Sequence, residues 1–145
     1  MHLTERFRNE PYLLINFVLA GVIVLIFLYS GIFSPVKDNY PVVCIHEKLT
    51  GKPCISCGLS HSFSLVVRGR ISEAHKWNVY GLRVFLFFAL QLALRVGFSI
   101  FYIRYLDTRR QLITYDIASS IALFVVCFLP YIEYIFNLVF PHSSP

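Results

Sequence analysis

Three apolar stretches dominate the pattern of hydrophobic and polar positions along the chain. The first, about 12–33, carries no charge from Tyr12 to Phe33 and matches the roughly 20 residues a helix needs to cross about 30 Å of hydrocarbon. Arg6 and Arg8 precede it as in a secretory signal. However, the apolar run is longer than a signal core and Leu28-Tyr29-Ser30-Gly31 is a poor cleavage site, so the stretch reads as an uncleaved anchor. The second, about 79–103, contains Arg83, Gln91 and Arg95, which at about 100° per residue share an arc of roughly 120° and give the helix one polar face. The third, about 117–140, is apolar except for Glu133 and Asn137 on one face, with Pro130 as a candidate kink.

The segment from Arg104 to Asp116 reads as a short polar loop, which makes spans two and three antiparallel. Measured from that loop at about 1.5 Å per residue, Glu133 lies about 24 Å deep, Arg83 about 30 Å and Arg95 about 12 Å. Glu133 is thus expected to pair with Arg83 rather than Arg95, as a structural ion pair relieving the cost of charge near lipid. The expected fold is an all-α integral membrane protein, residues 1–145 forming one membrane domain.

Composition agrees: 57% of residues are hydrophobic, 17% aromatic and only 14% charged, against about a quarter charged in soluble domains. No separate soluble catalytic domain fits beside the spans. The net charge of +5 is spread over span ends rather than gathered in a basic run with interleaved aromatics, so nucleic acid is not implied. The positive-inside count leans towards an inner N-terminus and an outer loop between spans one and two.

That loop, 34–78, is the one long polar segment, and it holds Cys44, Cys54 and Cys57 in the spacing C-x9-C-x2-C, with His46 and His61 nearby. A Cys-x-x-Cys turn can hold two thiolates on one zinc ion; Cys44 and His61 would complete a Cys3His tetrahedron, with His46 competing for the fourth position. Alternatively, Cys54 and Cys57 with Cys44 as a resolving thiol have the ingredients of thiol–disulfide exchange. The third reading is structural, with small buried thiols or one disulfide pinning the loop. Within it, Gly58 to Val67 reads as a short amphipathic helix on the membrane, ended at Gly69, with Leu59, Phe63, Val66 and Val67 as its apolar face. A second short helix would run from Ser72, its cap, to Trp77.

Ser60, His61 and Ser62 do not form a hydrolase site, because sequence neighbours on a helix point in different directions and no carboxylate stands by to orient the histidine. His75, Trp77 and Tyr80 suit an interfacial aromatic belt, and Cys127 is a packing residue.

Cys44, then Thr50-Gly51-Lys52-Pro53-Cys54-Ile55-Ser56-Cys57-Gly58-Leu59-Ser60-His61-Ser62, then Gly69, Ala74 and Asn78 follow one order. From about Cys44 to Leu90, it resembles the small bacterial membrane proteins grouped as domain of unknown function 2752. The family pattern has proline where Ile55 stands, threonine and arginine at Ser60 and His61, and proline at Val79. The resemblance implies a bacterial inner-membrane protein with a cysteine-bearing loop docked on the bilayer, and carries no established activity.

These readings lead to a non-catalytic accessory or assembly subunit, whose Cys44, Cys54, Cys57 and His61 loop is stabilised by zinc or a disulfide and which binds a membrane-protein partner or a second copy. The alternative is a membrane thiol–disulfide oxidoreductase using Cys54 and Cys57. A small-ligand carrier using Arg83, Arg95 and Glu133 would require an oligomer, since three spans enclose little volume.

Overall fold

The computed structural model describes residues 10–32, 55–105 and 107–139, and all of its elements are helices. They run in the order α1 (Pro11–Ile32), α2 (Leu59–Val67), α3 (Ile71–Trp77), α4 (Gly81–Arg104) and α5 (Arg109–Val139). Helices α1, α4 and α5 are each long and apolar enough to cross a membrane, which makes the chain a multi-pass helical membrane protein.

Helix α4 is the central element, packing against α1 on one side and α5 on the other, with α2 and α3 folded against its first turns. Each span leaves most of its apolar surface outward, as expected where lipid tails are as apolar as the helix surface and association depends on packing and hydrogen bonds.

The third spanning helix begins at Arg109, eight positions before the expected 117. Asp116 therefore belongs to α5, about 10 Å along it at 1.5 Å per residue, and not to a loop. There it is fully buried and its Oδ2 lies 2.8 Å from Arg95 Nη1. The guanidinium also donates to Asn16 Oδ1 of α1 at 2.7 Å, to Gln91 Oε1 at 3.3 Å, and to the Ser120 hydroxyl. Tyr12 closes the cluster by donating its hydroxyl to Asp116 Oδ2 at 2.8 Å. One cation thus engages all three spans, and every acceptor it uses lowers the cost of an arginine below the membrane surface.

Above this cluster, towards the α4–α5 turn, lies a second layer. Arg109 donates to Glu10 Oε1 at 2.7 Å and sits 4.6 Å over the Tyr102 ring, while the Tyr102 hydroxyl donates to Glu10 Oε2 at 2.9 Å. Below it the interior turns aromatic. Phe87 meets Phe128 at 5.1 Å, Phe128 stacks on Phe124 at 4.8 Å, and Tyr80 meets Tyr131 at 5.7 Å along the α4–α5 seam. Phe27 and Phe63 approach Phe85 at 4.9 and 5.6 Å between α1, α2 and α4.

The expected Arg83–Glu133 pair does not form: both side chains are exposed, and neither makes an ion pair among the described residues. Their level explains why. Arg83 is about 32 Å from Arg104 along α4 and Glu133 about 36 Å from Arg109 along α5, so both have crossed a hydrocarbon layer of about 30 Å and reach the far boundary. The seam between them is filled by Tyr80 and Tyr131, leaving each charge outward.

Helix α5 continues through Pro130, which removes one backbone donor. Asn137, expected beside Glu133, has its side chain outside the described residues.

Breaking the Arg95–Asp116 pair from one side strands a buried charge. Asp116→Asn should destabilise the detergent-solubilised protein by about 3–5 kcal/mol. Replacing both residues with leucine should cost less than either single removal, and Glu133→Gln should stay within about 0.5 kcal/mol of wild type. Denaturant titration followed by far-UV circular dichroism checks all three; a double variant as unstable as the sum of the singles would refute the pairing.

Candidate functional site: the cysteine turn and its clamps

Of the residues proposed to hold a metal, Cys57 and His61 are described; Cys44, Cys54 and the competing His46 lie outside the described residues. Cys57 is half-buried in the turn 55–58, directly before α2. Asn78, between α3 and α4, fixes that turn by donating its Nδ2 to the carbonyls of Ile55 at 2.9 Å and Cys57 at 3.0 Å. Its Oδ1 accepts from the Tyr80 amide at 2.9 Å. One buried carboxamide thus joins the cysteine turn to the start of α4, satisfying three backbone groups.

Glycine is required twice at this junction. Gly58 has φ +78°, and a Cβ there would collide with the Trp77 carbonyl. A Cβ on Gly81 would collide with the Ser62 hydroxyl, so α2 lies close against the first turn of α4. The buried residues of α2 are the consecutive Ser62, Phe63, Ser64 and Leu65, while Val67 is exposed. In place of the expected single apolar face of Leu59, Phe63, Val66 and Val67, the middle of α2 is enclosed on most sides, Leu59 and Val66 being half-buried, because small hydroxyl side chains permit the close approach.

Helix α2 ends at Val67, and Gly69, at φ +75°, donates its amide to the Val66 carbonyl at 2.9 Å. Arg68 then reaches back to α1, donating through Nη1 to the Ser30 carbonyl at 3.3 Å and through Nη2 to the Gly31 carbonyl at 2.9 Å. The same guanidinium donates to the Ser64 carbonyl at 2.8 Å. A cation at two helix C-termini satisfies their last carbonyls and opposes both dipoles.

Helix α3 starts at Ile71, so Ser72 lies inside it and is not its cap; Arg70 holds the N-cap position and its side chain pairs with Glu73 at 2.5 Å. The guanidinium's hydrogen bonds hold the Glu73 carboxyl below the usual range.

His61, four positions after Cys57 and in the first turn of α2, stacks on Trp77 with ring centres 4.3 Å apart and planes within 10°. The histidine face is covered while its ring edge, which carries both nitrogens, is the part suited to a ligand. Thiolate and imidazole are both zinc ligands, but the left-handed Gly58 breaks the helical path between Cys57 and His61, so their spacing of four is not a helical turn. Among the described residues, no group of three metal-ligating side chains gathers around them.

The remaining candidates separate. Ser60 is exposed and Ser62 fully buried, pointing away from each other across His61. His75 is exposed, Tyr80 packs on Tyr131, and Cys127 is buried in α5. Arg95 is in the polar cluster about 21 Å along α4 from Gly81, remote from the cysteine turn.

These features define a small three-span membrane protein with a pinned cysteine turn at one end of its bundle. Residues 44–92 match the family model described as a protein of unknown function, DUF2752; this stretch holds the cysteine turn, both clamps and the first half of α4. No curated protein and no solved structure matches the chain.

Asn78→Ala should free the Ile55 and Cys57 carbonyls, at a cost of about 1–3 kcal/mol for buried groups left unsatisfied. Hydrogen exchange at Gly58 and Leu59 should accelerate while α5 stays protected; unchanged exchange there would remove Asn78 as the clamp.

Proposed function

We propose that the chain is a non-catalytic accessory or assembly subunit of the bacterial inner membrane, presenting its Cys/His loop as a rigid platform to a membrane-protein partner. The carrying observation is the pinning of the Cys57 turn to α4 through Asn78. Arg68 adds a second tie, joining α2 to the end of α1. Platforms that dock partners gain affinity from being ordered beforehand. Zinc on Cys44, Cys54, Cys57 and His61, or a disulfide among the cysteines, would complete that order, and α2 and α3 would lie at the membrane surface.

A specific feature favours a second reading, a thiol–disulfide oxidoreductase. Cys57 stands just before the N-terminus of α2, where the helix dipole would favour the thiolate. A mixed disulfide trapped when Cys54 or Cys57 alone becomes serine would support that reading.

Metal content by mass spectrometry on detergent-purified protein, beside thiol counting with and without reductant, separates the two. The platform reading expects about one zinc per chain, lost in Cys57→Ser, or a disulfide that no partner reduces. Because Trp77 is the sole tryptophan and stacks on His61, chelation of zinc should shift its fluorescence. Absence of metal, with Cys54 and Cys57 cycling against a partner thiol, would overturn the platform in favour of redox chemistry. Recovery of a stoichiometric membrane partner tests the accessory role.

A further inference from the structure

Arg83 and Glu133 are opposite charges that the bundle leaves unanswered at its cysteine-turn end. Both are exposed, and neither makes an ion pair among the described residues. They belong to different faces. On α4, Arg83 shares an exposed stripe with Leu86 and Leu90, at i, i+3 and i+7. On α5, Glu133 lies about 140° round the helix from Phe128 and about 180° from Phe124, the rings that meet Phe87 of α4. It heads an exposed stripe that continues through Leu129, Val126 and Ala122.

The two stripes match in depth. Arg95 and Asp116 mark a level shared by α4 and α5. Measured from it towards the cysteine turn, Leu90 and Ala122 lie at about 8 and 9 Å, Leu86 and Val126 at about 14 and 15 Å, and Arg83 and Glu133 at about 18 and 26 Å. Side chains lean towards the N-terminus of their own helix, so in these antiparallel helices Arg83 leans towards the cysteine-turn end and Glu133 back from it; the long arginine stem closes the remaining step. Bilayer phosphates can serve Arg83 but repel Glu133. Another copy of the chain, inserted with the same orientation, offers a guanidinium at the right end and apolar side chains at the right depths.

We infer that α5 of one chain docks on the outer face of α4 of the next, with Glu133 against Arg83, Val126 against Leu86 and Ala122 against Leu90. The small Ala122 side chain permits close approach opposite the larger Leu90. Because the two stripes lie on different faces, the contact is head-to-tail and closes as a ring of at least three chains.

The test reconstitutes full-length chains, labelled at the N-terminus with donor or acceptor, in phosphatidylcholine liposomes and follows energy transfer as lipid is added. Wild-type transfer is expected to persist on dilution. Arg83→Glu and Glu133→Arg each place like charges in the contact and should each weaken association by about tenfold or more. An equal mixture of the two variants, one carrying donor and the other acceptor, should restore transfer, since each then supplies the charge the other has lost; a loss caused by misfolding would not be restored by mixing. A wild type that is monomeric in the bilayer, a single variant that associates as well as the wild type, or a mixture no better than either variant alone would each overturn the contact.

Discussion

The bundle depends on the Arg95 guanidinium lying below the membrane surface with its charge met on the spot. An arginine at the centre of a membrane helix costs about 2.5–3.5 kcal/mol even on insertion scales, and α4 carries this one because α5 presents Asp116 and α1 presents Asn16 at the same level. The ion pair sets the register of α4 against α5, since sliding either helix by a turn would separate the charges by about 5 Å. Tyr12 and Asn16 extend the same constraint to α1. The cysteine turn rests on this frame indirectly, because Asn78 anchors it to the end of a helix whose position the polar cluster has already fixed.

The interior is divided along the membrane normal. Towards the Glu10 and Arg109 end, the contacts between spans are hydrogen bonds and ion pairs; towards the cysteine turn, they are ring contacts among Phe63, Phe85, Phe87, Phe124 and Phe128. A carrier path through Arg83, Arg95 and Glu133 finds no support in this arrangement, because Arg95 is committed to Asp116 while Arg83 and Glu133 face outward at the far end. The seam between is packed with aromatic rings.

The three spans were legible because uncharged length is a strong signal, and the short helix after Cys57 was legible from Gly69 and its apolar spacing. Asp116 was not, because a carboxylate beside Arg109, Arg110 and Gln111 has the composition of a loop; only its burial against Arg95 identifies it as part of a span. Ser62 and Ser64 were missed as buried residues for a related reason, since hydroxyls read as solvent-facing until Gly81 removes the Cβ that would hold α2 off. Asn78 was marked by the family resemblance without a role, which emerges from its bonds to Ile55 and Cys57. His61 lies in the first turn of α2 while Cys57 stays in the turn before it, separated by the left-handed Gly58, and Cys44 and Cys54 lie beyond the described residues.

Helix α5 has 31 residues, about 46 Å at 1.5 Å per residue, against a hydrocarbon layer of about 30 Å. Spanning helices tilt by up to about 40°, which would shorten the projection of α5 only to about 35 Å. Tilt alone therefore cannot absorb the mismatch, and part of α5 must stand clear of the hydrocarbon. The ring contacts of the α4–α5 seam reach Tyr131, and in the last turns Ile132, Ile135 and Phe136 are largely exposed. A thicker or thinner bilayer would thus be met by burying or baring that final stretch, with the packing between the spans left intact.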